Sequence, residues 1–260
     1  MENLRKYGNA PFNIAVIHGG PGAPGEMAPV ARELSKSYGV LEPLQTKSTI
    51  KGQIEELKDV LANYGNPPII LIGYSWGAML GFIYTAQNPS LVKKLILISS
   101  GVFEDKYAAD IMKTRLSRLT EKEQQEVNML SENLDNPNIR DKNTVFARLG
   151  EIILKSDSYE PLPSENEIIE CQYHIYRQIW EEAESLRKSG RLLKLGKKIQ
   201  CPVVAIHGDC DPHPIDGVKT PLSDVLKDFK FILLEKCGHH PWIEREAKDK
   251  FFNVLKKEIQ

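Results

Sequence analysis

Apolar residues along this chain gather in short uninterrupted runs, separated by stretches with a helical repeat. Phe12-Asn13-Ile14-Ala15-Val16-Ile17 opens the series, followed by a Gly/Pro loop and a helix predicted from Ala28 to Ser37. Gly39-Val40-Leu41 reads as a second strand and Gln53 to Asn63 as a helix. Pro68-Ile69-Ile70-Leu71-Ile72 is the clearest strand, with a helix from Trp76 to Gln87 after it. Leu95–Ile98, Val203–Ile206 and Phe229–Leu234 are further strands, and a last helix is expected from Ile243 to Lys257. Strands apolar throughout, bounded by turns and alternating with helices, suit a largely parallel sheet covered on both faces. The pattern predicts an α/β protein.

One stretch breaks the alternation. From Glu104 to Lys198 only helical patterns occur, at Met112–Leu119, Glu121–Leu134, Thr144–Leu154 and Glu165–Leu195. Roughly 95 residues far exceed the needs of a crossover connection. The expectation is a helical cap, residues 104–198, inserted into a core formed by residues 1–103 and 199–260.

Composition narrows the partners. The 34 Lys and Arg nearly balance the 35 Asp and Glu, for a net charge of −1. That removes the electrostatic reason to expect nucleic acid or an anionic membrane as partner. The first residues hold no apolar signal core, and no run approaches the roughly 18 apolar residues of a spanning helix. Four cysteines without a CxxC pair (Cys171, Cys201, Cys210, Cys237) read as free thiols of a reduced compartment. A soluble cytoplasmic globular protein is the expectation.

The most specific motif is Gly73-Tyr74-Ser75-Trp76-Gly77, a GxSxG set between a strong strand and a helix. A serine at the apex of such a turn exposes its hydroxyl, and the flanking glycines let neighbouring backbone approach. The helix start behind it supplies free N–H groups. A nucleophilic serine needs a base, and the base an acid to orient it. Two later strands end in suitable groups: Val203–Ile206 runs into Asp209 and Asp211, and Phe229–Leu234 into His239 and His240. Carboxylates and imidazoles at such strand ends can converge on Ser75.

These residues resemble those of the α/β-hydrolases. His18-Gly19-Gly20-Pro21-Gly22 is similar to the HGGPG loop of proline iminopeptidases and related capped hydrolases. The resemblance covers about residues 12–103 and 199–257. Its Gly-x-x-Asp and Gly-His patterns imply Asp211 as the acid and His239 as the base. It also implies an oxyanion hole formed by the backbone N–H groups of Gly20 and Trp76, and neither metal nor organic cofactor. Two departures matter. Only 17 residues precede His18, so the family's first two strands are expected to be missing. That leaves about six strands, with the strand near Val40–Leu44 at the edge, where Pro43 is tolerated. Tyr74 stands where proline iminopeptidases carry a second glycine. The implied activity is a serine hydrolase cleaving a small ester, amide or N-terminal peptide bond. A proline iminopeptidase-like aminopeptidase and a catalytically silent ligand-binding member are the alternatives.

Competing patterns carry less chemistry. Gly20 to Gly25 matches GxGxxG, with Glu42 about 20 residues on, but Pro21 and Pro24 remove donors that a pyrophosphate would need. His207, Asp209, Cys210, Asp211, His213, Cys237, His239 and His240 could supply metal ligands, but their spacing follows no common zinc pattern. Asp157, Glu160, Glu165, Glu167, Glu170, Glu181, Glu182 and Glu184 face only Arg177 in their own segment. They read either as a solvated helix face or as binders of a substrate ammonium. His18 reads as ordering its loop, and Trp76 and Trp242 as packing residues.

Overall fold

A computed structural model describes residues 3–163 and 167–260. In chain order it runs β1 (Leu4–Tyr7), β2 (Phe12–Ile17), α1 (Ala28–Leu34), β3 (Gly39–Pro43), α2 (Ile50–Tyr64), β4 (Ile69–Tyr74), α3 (Trp76–Gln87) and β5 (Val92–Ile98). Helices α4 (Ile111–Ser117), α5 (Glu121–Asp135), α6 (Lys142–Asp157), α7 (Tyr173–Lys188) and α8 (Arg191–Lys194) follow. The chain closes with β6 (Val203–Gly208), α9 (Asp216–Val225), β7 (Phe229–Leu234) and α10 (Lys248–Ile259). The strands form one sheet ordered β1-β3-β2-β4-β5-β6-β7, in which β2 to β7 run parallel and β1 antiparallel. Among the described residues no helix is long and apolar enough to cross a membrane.

Period-two packing explains why the strands are apolar throughout. Leu71, Leu95, Leu97 and Val203 join one core with α2, α3 and α9. Their neighbours Ile70, Ile72, Ile96, Ile98 and Val204 join another with α1 and α10. Each side chain along the strand therefore leaves water on one face or the other. Helix α3 is buried from Trp76 to Ala86, so the element behind Ser75 has no freedom to slide. A third small cluster of Leu119, Val127, Leu130 and Ile152 holds α5 to α6. Thr120 and Glu123 close a capping box at the start of α5.

Three expectations are corrected. The sheet has seven strands, because Leu4–Tyr7 pairs antiparallel with β3, from Leu4 opposite Pro43 to Tyr7 opposite Val40. The strand at Gly39–Pro43 is therefore not the edge, and Pro43 sits at its last position. The sequence pattern of β1 is weak for a physical reason: an edge strand with only Leu4 fully buried can carry Arg5 and Lys6. The long helix expected over Glu165–Leu195 is interrupted. It starts at Tyr173 and breaks at Gly190, whose φ of 67° no right-handed helix continues through; Glu165 itself lies outside the described residues. The last helix starts at Lys248 rather than Ile243, because Glu244 and Arg245 bond to the segment after α6 instead.

Strand β1 also creates a buried acid. Tyr7 Oη donates to Glu42 at 2.7 Å, and Arg5 lies 3.8 Å from the same carboxylate. Burial, only partly opposed by Tyr7 and Arg5, pushes the Glu42 carboxyl up to about 7. Burial and the adjacent Glu42 push the Tyr7 hydroxyl up to about 12. A folded pKa above the unfolded value means that stability is fully present below about pH 4.5 and is lost as pH rises through about 7. Glu42→Gln is therefore expected to flatten this fall, with a gain of about 1–3 kcal/mol at pH 8 and little change at pH 4 in urea unfolding. Parallel curves for the two proteins would refute it.

Candidate active site

Ser75 stands between β4 and α3 with φ 50° and ψ −112°, a conformation L-residues rarely hold. Its N–H donates to Ile98 O at 3.0 Å, and its carbonyl accepts from Ala78 at 3.1 Å. The glycines of the motif are required by close packing. A Cβ on Gly73 would lie 2.2 Å from Gly77 O, and one on Gly77 would lie 2.3 Å from Ile17 O and 2.5 Å from His18 O. The second pair of distances also shows how tightly the loop after β2 lies against the start of α3. Strand order reverses between β2 and β4, so Ser75 sits at the switch point of the sheet.

The ends of β6 and β7 bring the acid and base of the sequence reading beside it. His239 Nε2 is 3.1 Å from Ser75 Oγ, and His239 Nδ1 is 2.7 Å from Asp211 Oδ2. With Nδ1–H donating to the carboxylate, Nε2 is left as the acceptor for the serine proton. The Asp211 side chain has no exposure. Burial pushes its carboxyl up, but the fields of His239, His207 and His213 outweigh that and hold it well below the usual carboxylate range. Burial opposes the His239 imidazolium, yet the charge and hydrogen bond of Asp211 raise its pKa above 6.5. Burial dominates at His213 and pulls it down to about 4.

The neighbouring candidates take other places. Asp209 Oδ1 accepts from Cys237 N–H at 3.0 Å and so ties the two loops together. His240 Nε2 lies 3.4 Å from Glu26 Oε1 and packs edge-on to His239, away from Ser75. His18 Nδ1–H donates to Gly19 O at 2.9 Å, while its Nε2 accepts from Gln45 N–H at 3.3 Å. Trp76 heads α3, so its N–H has no intrahelical acceptor; its indole donates to Gln53 at 2.9 Å. Gly20 accepts from Ala23 N–H at 2.8 Å. Tyr74 fills the space under the histidine loop, its ring 5.1 Å from those of both His239 and His240 and 4.7 Å from that of Trp242. Glu42 is occupied by Tyr7 and Arg5, not held at a nucleotide loop.

The helical segment between β5 and β6 reaches three of the loops at this end of the sheet. Asp157 O, at the end of α6, accepts the N–H of His239 at 2.7 Å. Arg115 from α4 grips the Asp157 carboxylate through two bonds of 2.7 Å, and Arg118 donates to Cys210 O at 2.8 Å. Ile169 and Gln172 donate to Pro24 O and Gly22 O at 2.9 and 2.8 Å. The buried Glu244 carboxylate accepts from Gly238 at 2.9 Å and from Tyr159 and Glu160 at 2.8 Å each, clipping segment to histidine loop. Arg115 and Glu244 escaped the sequence reading because neither forms a local motif, and Asp157 reads from sequence only as one of the segment's carboxylates, not as a support of the histidine loop.

Seven of the eight segment carboxylates are described, and each bonds within the chain. Asp157 pairs with Arg115, Glu160 with Arg245, Glu167 with Arg32, Glu181 with Arg177 and Glu184 with Lys188. Glu182 caps Ile50 N–H, and Glu170 accepts from Gln172. Glu160, Glu181 and Glu184 stay half-exposed or more, as a solvated face implies, while Asp157, Glu160, Glu167 and Glu182 take partners from distant segments. Among the described residues, one group has metal-ligand atoms within 4.8 Å of one another: Asp211, His213 and His239. In it both imidazole Nδ1 atoms are engaged with the same carboxylate, at 2.8 and 2.7 Å. An ion held by both Nδ1 atoms would displace these two hydrogen bonds. Cys210 N–H donates to Cys237 O at 2.8 Å, so those residues adjoin, and both thiols are free.

Comparison with known proteins places this geometry in context. The profile of the alpha/beta hydrolase fold matches residues 14–246. The chain is similar to a proline iminopeptidase of Saccharolobus solfataricus, 24% identical over 282 residues, covering 95% of this chain and 84% of the relative. It is also similar to a proline iminopeptidase of Lactobacillus delbrueckii subsp. lactis, 25% identical over 276 residues, covering 90% and 86%. Among solved structures, VinJ superposes with a TM-score of 0.69 at 18% identity, over 98% of this chain and 93% of that one. The proline iminopeptidase of Mycobacterium smegmatis gives 0.62 at 15% identity, over 98% and 93%.

The two stacked imidazoles should titrate apart. In a pH titration of histidine ring signals, His239 is expected to lose its proton above pH 6.5 and His213 at about pH 4. Stability follows with opposite signs. The His239 contribution is present at low pH and fades as pH rises through its raised pKa. The His213 contribution is present above 6.5 and fades as pH falls toward 4. Both rings titrating together near pH 6.5 would contradict this electrostatic account.

Proposed function

The chain belongs to the alpha/beta hydrolase fold family, and on that premise we propose that it is a serine hydrolase working through an acyl-enzyme. Ser75 attacks the carbonyl of a small ester, amide or N-terminal peptide bond, and His239 takes its proton and returns it to the leaving group. Asp211 holds the imidazole in the tautomer that leaves Nε2 free and stabilises the imidazolium. The N–H groups of Trp76 and Gly20 receive the oxyanion. The helices of residues 104–198 act as the cap, shaping the substrate pocket and excluding water. The observation that carries the reading is the continuous chain of contacts from Ser75 to Asp211, 3.1 and 2.7 Å, built on a strained elbow. A cytoplasmic setting, suggested by the cysteine spacing, belongs to the same reading.

A second reading, a proline iminopeptidase-like aminopeptidase, is favoured by the two curated relatives of that name at 24% and 25% identity. Against it stands Tyr74 at the second motif position.

Release of p-nitrophenol from short acyl esters, compared with release of the arylamine from proline arylamides, separates the two. A fluorophosphonate probe is expected to label the protein at Ser75, and Ser75→Ala to abolish labelling. Ser75→Ala should lower kcat by about 10⁶ and Asp211→Asn by about 10⁴. Because His239 must be neutral to accept a proton, kcat/KM should fall on the acid side with a midpoint above 6.5. Undiminished labelling of Ser75→Ala would sink the proposal.

A further inference from the structure

The acid of this site is held by more than the base it orients. Asp211 Oδ2 receives the Nδ1–H of His239 at 2.7 Å. Its other oxygen, Oδ1, receives both the backbone N–H of His213 at 2.9 Å and the ring Nδ1–H of His213 at 2.8 Å. The backbone bond is an ordinary turn, an aspartate accepting from the residue two positions on, with Pro212 fixing the intervening φ. The ring bond is an addition to that turn. The His213 ring also stacks on that of His239, with centroids 4.6 Å apart and planes inclined by 27°. From the strand side, His207 Nε2–H donates to the His213 carbonyl at 2.9 Å and lies 3.7 Å from Asp211 Oδ2. The remaining charged neighbours, Arg115 of α4 and Asp157 of α6, bind each other at 2.7 Å.

From this geometry we propose that His213 is a positioning residue of the site. Its ring N–H locks Oδ1 so that only Oδ2 faces His239, and its ring packs against that of the base. A carboxylate with both oxygens engaged cannot rotate to offer a different lone pair, so the bond to His239 Nδ1 keeps its direction when the imidazolium forms. The bonds and stacking of His213 go to Asp211, His207 and His239 rather than to Ser75, so it acts through Asp211 and His239. The inference rests on the serine hydrolase reading for its catalytic consequence, but the hydrogen bond itself does not.

Two substitutions divide the functions of the ring. His213→Phe keeps a stacked ring and deletes the donor; His213→Asn deletes the ring and keeps a side-chain N–H at the position of Nδ1. His213→Phe is expected to lower kcat and the rate of fluorophosphonate labelling together by about 10- to 100-fold, with KM little changed and the acid limb of kcat/KM displaced. His213→Asn should recover most of that loss. Wild-type kcat and labelling in folded His213→Phe would overturn the proposal, as would equal losses in the two variants. If neither variant folds, proton NMR of the wild-type protein decides. Two separate low-field Nδ1–H signals, assigned to His239 and His213, support the shared carboxylate, and a missing His213 signal refutes it. A wild-type protein that neither takes the probe nor cleaves esters would instead defeat the hydrolase reading, and the NMR result would stand apart from that failure.

Discussion

The arrangement around Ser75 depends on that one strained residue being kept where it is. Ser75 holds φ 50° and ψ −112°, which costs about 1–3 kcal/mol in a free chain. It persists because the elements on either side cannot relax. Strand β4 lies in the middle of the sheet, and α3 is buried along its length. The two are drawn so close that Gly73 meets the carbonyl of Gly77 where a side chain would begin. Straightening the turn would require moving the most buried helix of the core.

The second constraint is a charge in a dry place. Asp211 is enclosed, and an enclosed carboxylate is tolerated only when its oxygens are engaged. Here two imidazoles bond to it while a third, His207, lies 3.7 Å away, and the two differ in protonation: burial leaves His213 neutral while the carboxylate favours the charged form of His239. The same logic recurs at Glu244, whose buried carboxylate gathers three backbone N–H groups, one from nearby Gly238 and two from the distant segment at Tyr159 and Glu160. The histidine loop is thus held in part by residues that follow α6. A Cβ on Gly238 would meet Asp157 O at 2.2 Å, so that contact also explains why glycine precedes His239.

Much of the core was legible in order. The apolar runs at Ile14–Ile17, Ile69–Ile72, Leu95–Ile98 and Val203–Ile206 mark the central strands because each is covered on both faces. Periodicity failed where burial is partial. Leu4–Tyr7 is an edge strand with charged residues, and the helix expected from Glu165 starts only at Tyr173. The stretch from Ile243 to Ala247 looks helical by repeat but is claimed by hydrogen bonds to the segment after α6.

The sequence by itself determined the six parallel strands, most of the helices between them and the elbow around Ser75, since these rest on local repeat and short-range turn chemistry. It also put a carboxylate and an imidazole at the ends of two later strands. The family resemblance implied which of two aspartates and which of two histidines pair, and the tertiary structure brings Asp211 and His239 within 2.7 Å. Residues so near in a loop differ in direction rather than in chemistry, so residue type alone left them equivalent. The tertiary structure alone decided that Asp157, Glu244 and His213 belong to the same neighbourhood. Their partners lie far away along the chain or, for His213, depend on a ring orientation set by packing. Local pattern carries no information about such contacts.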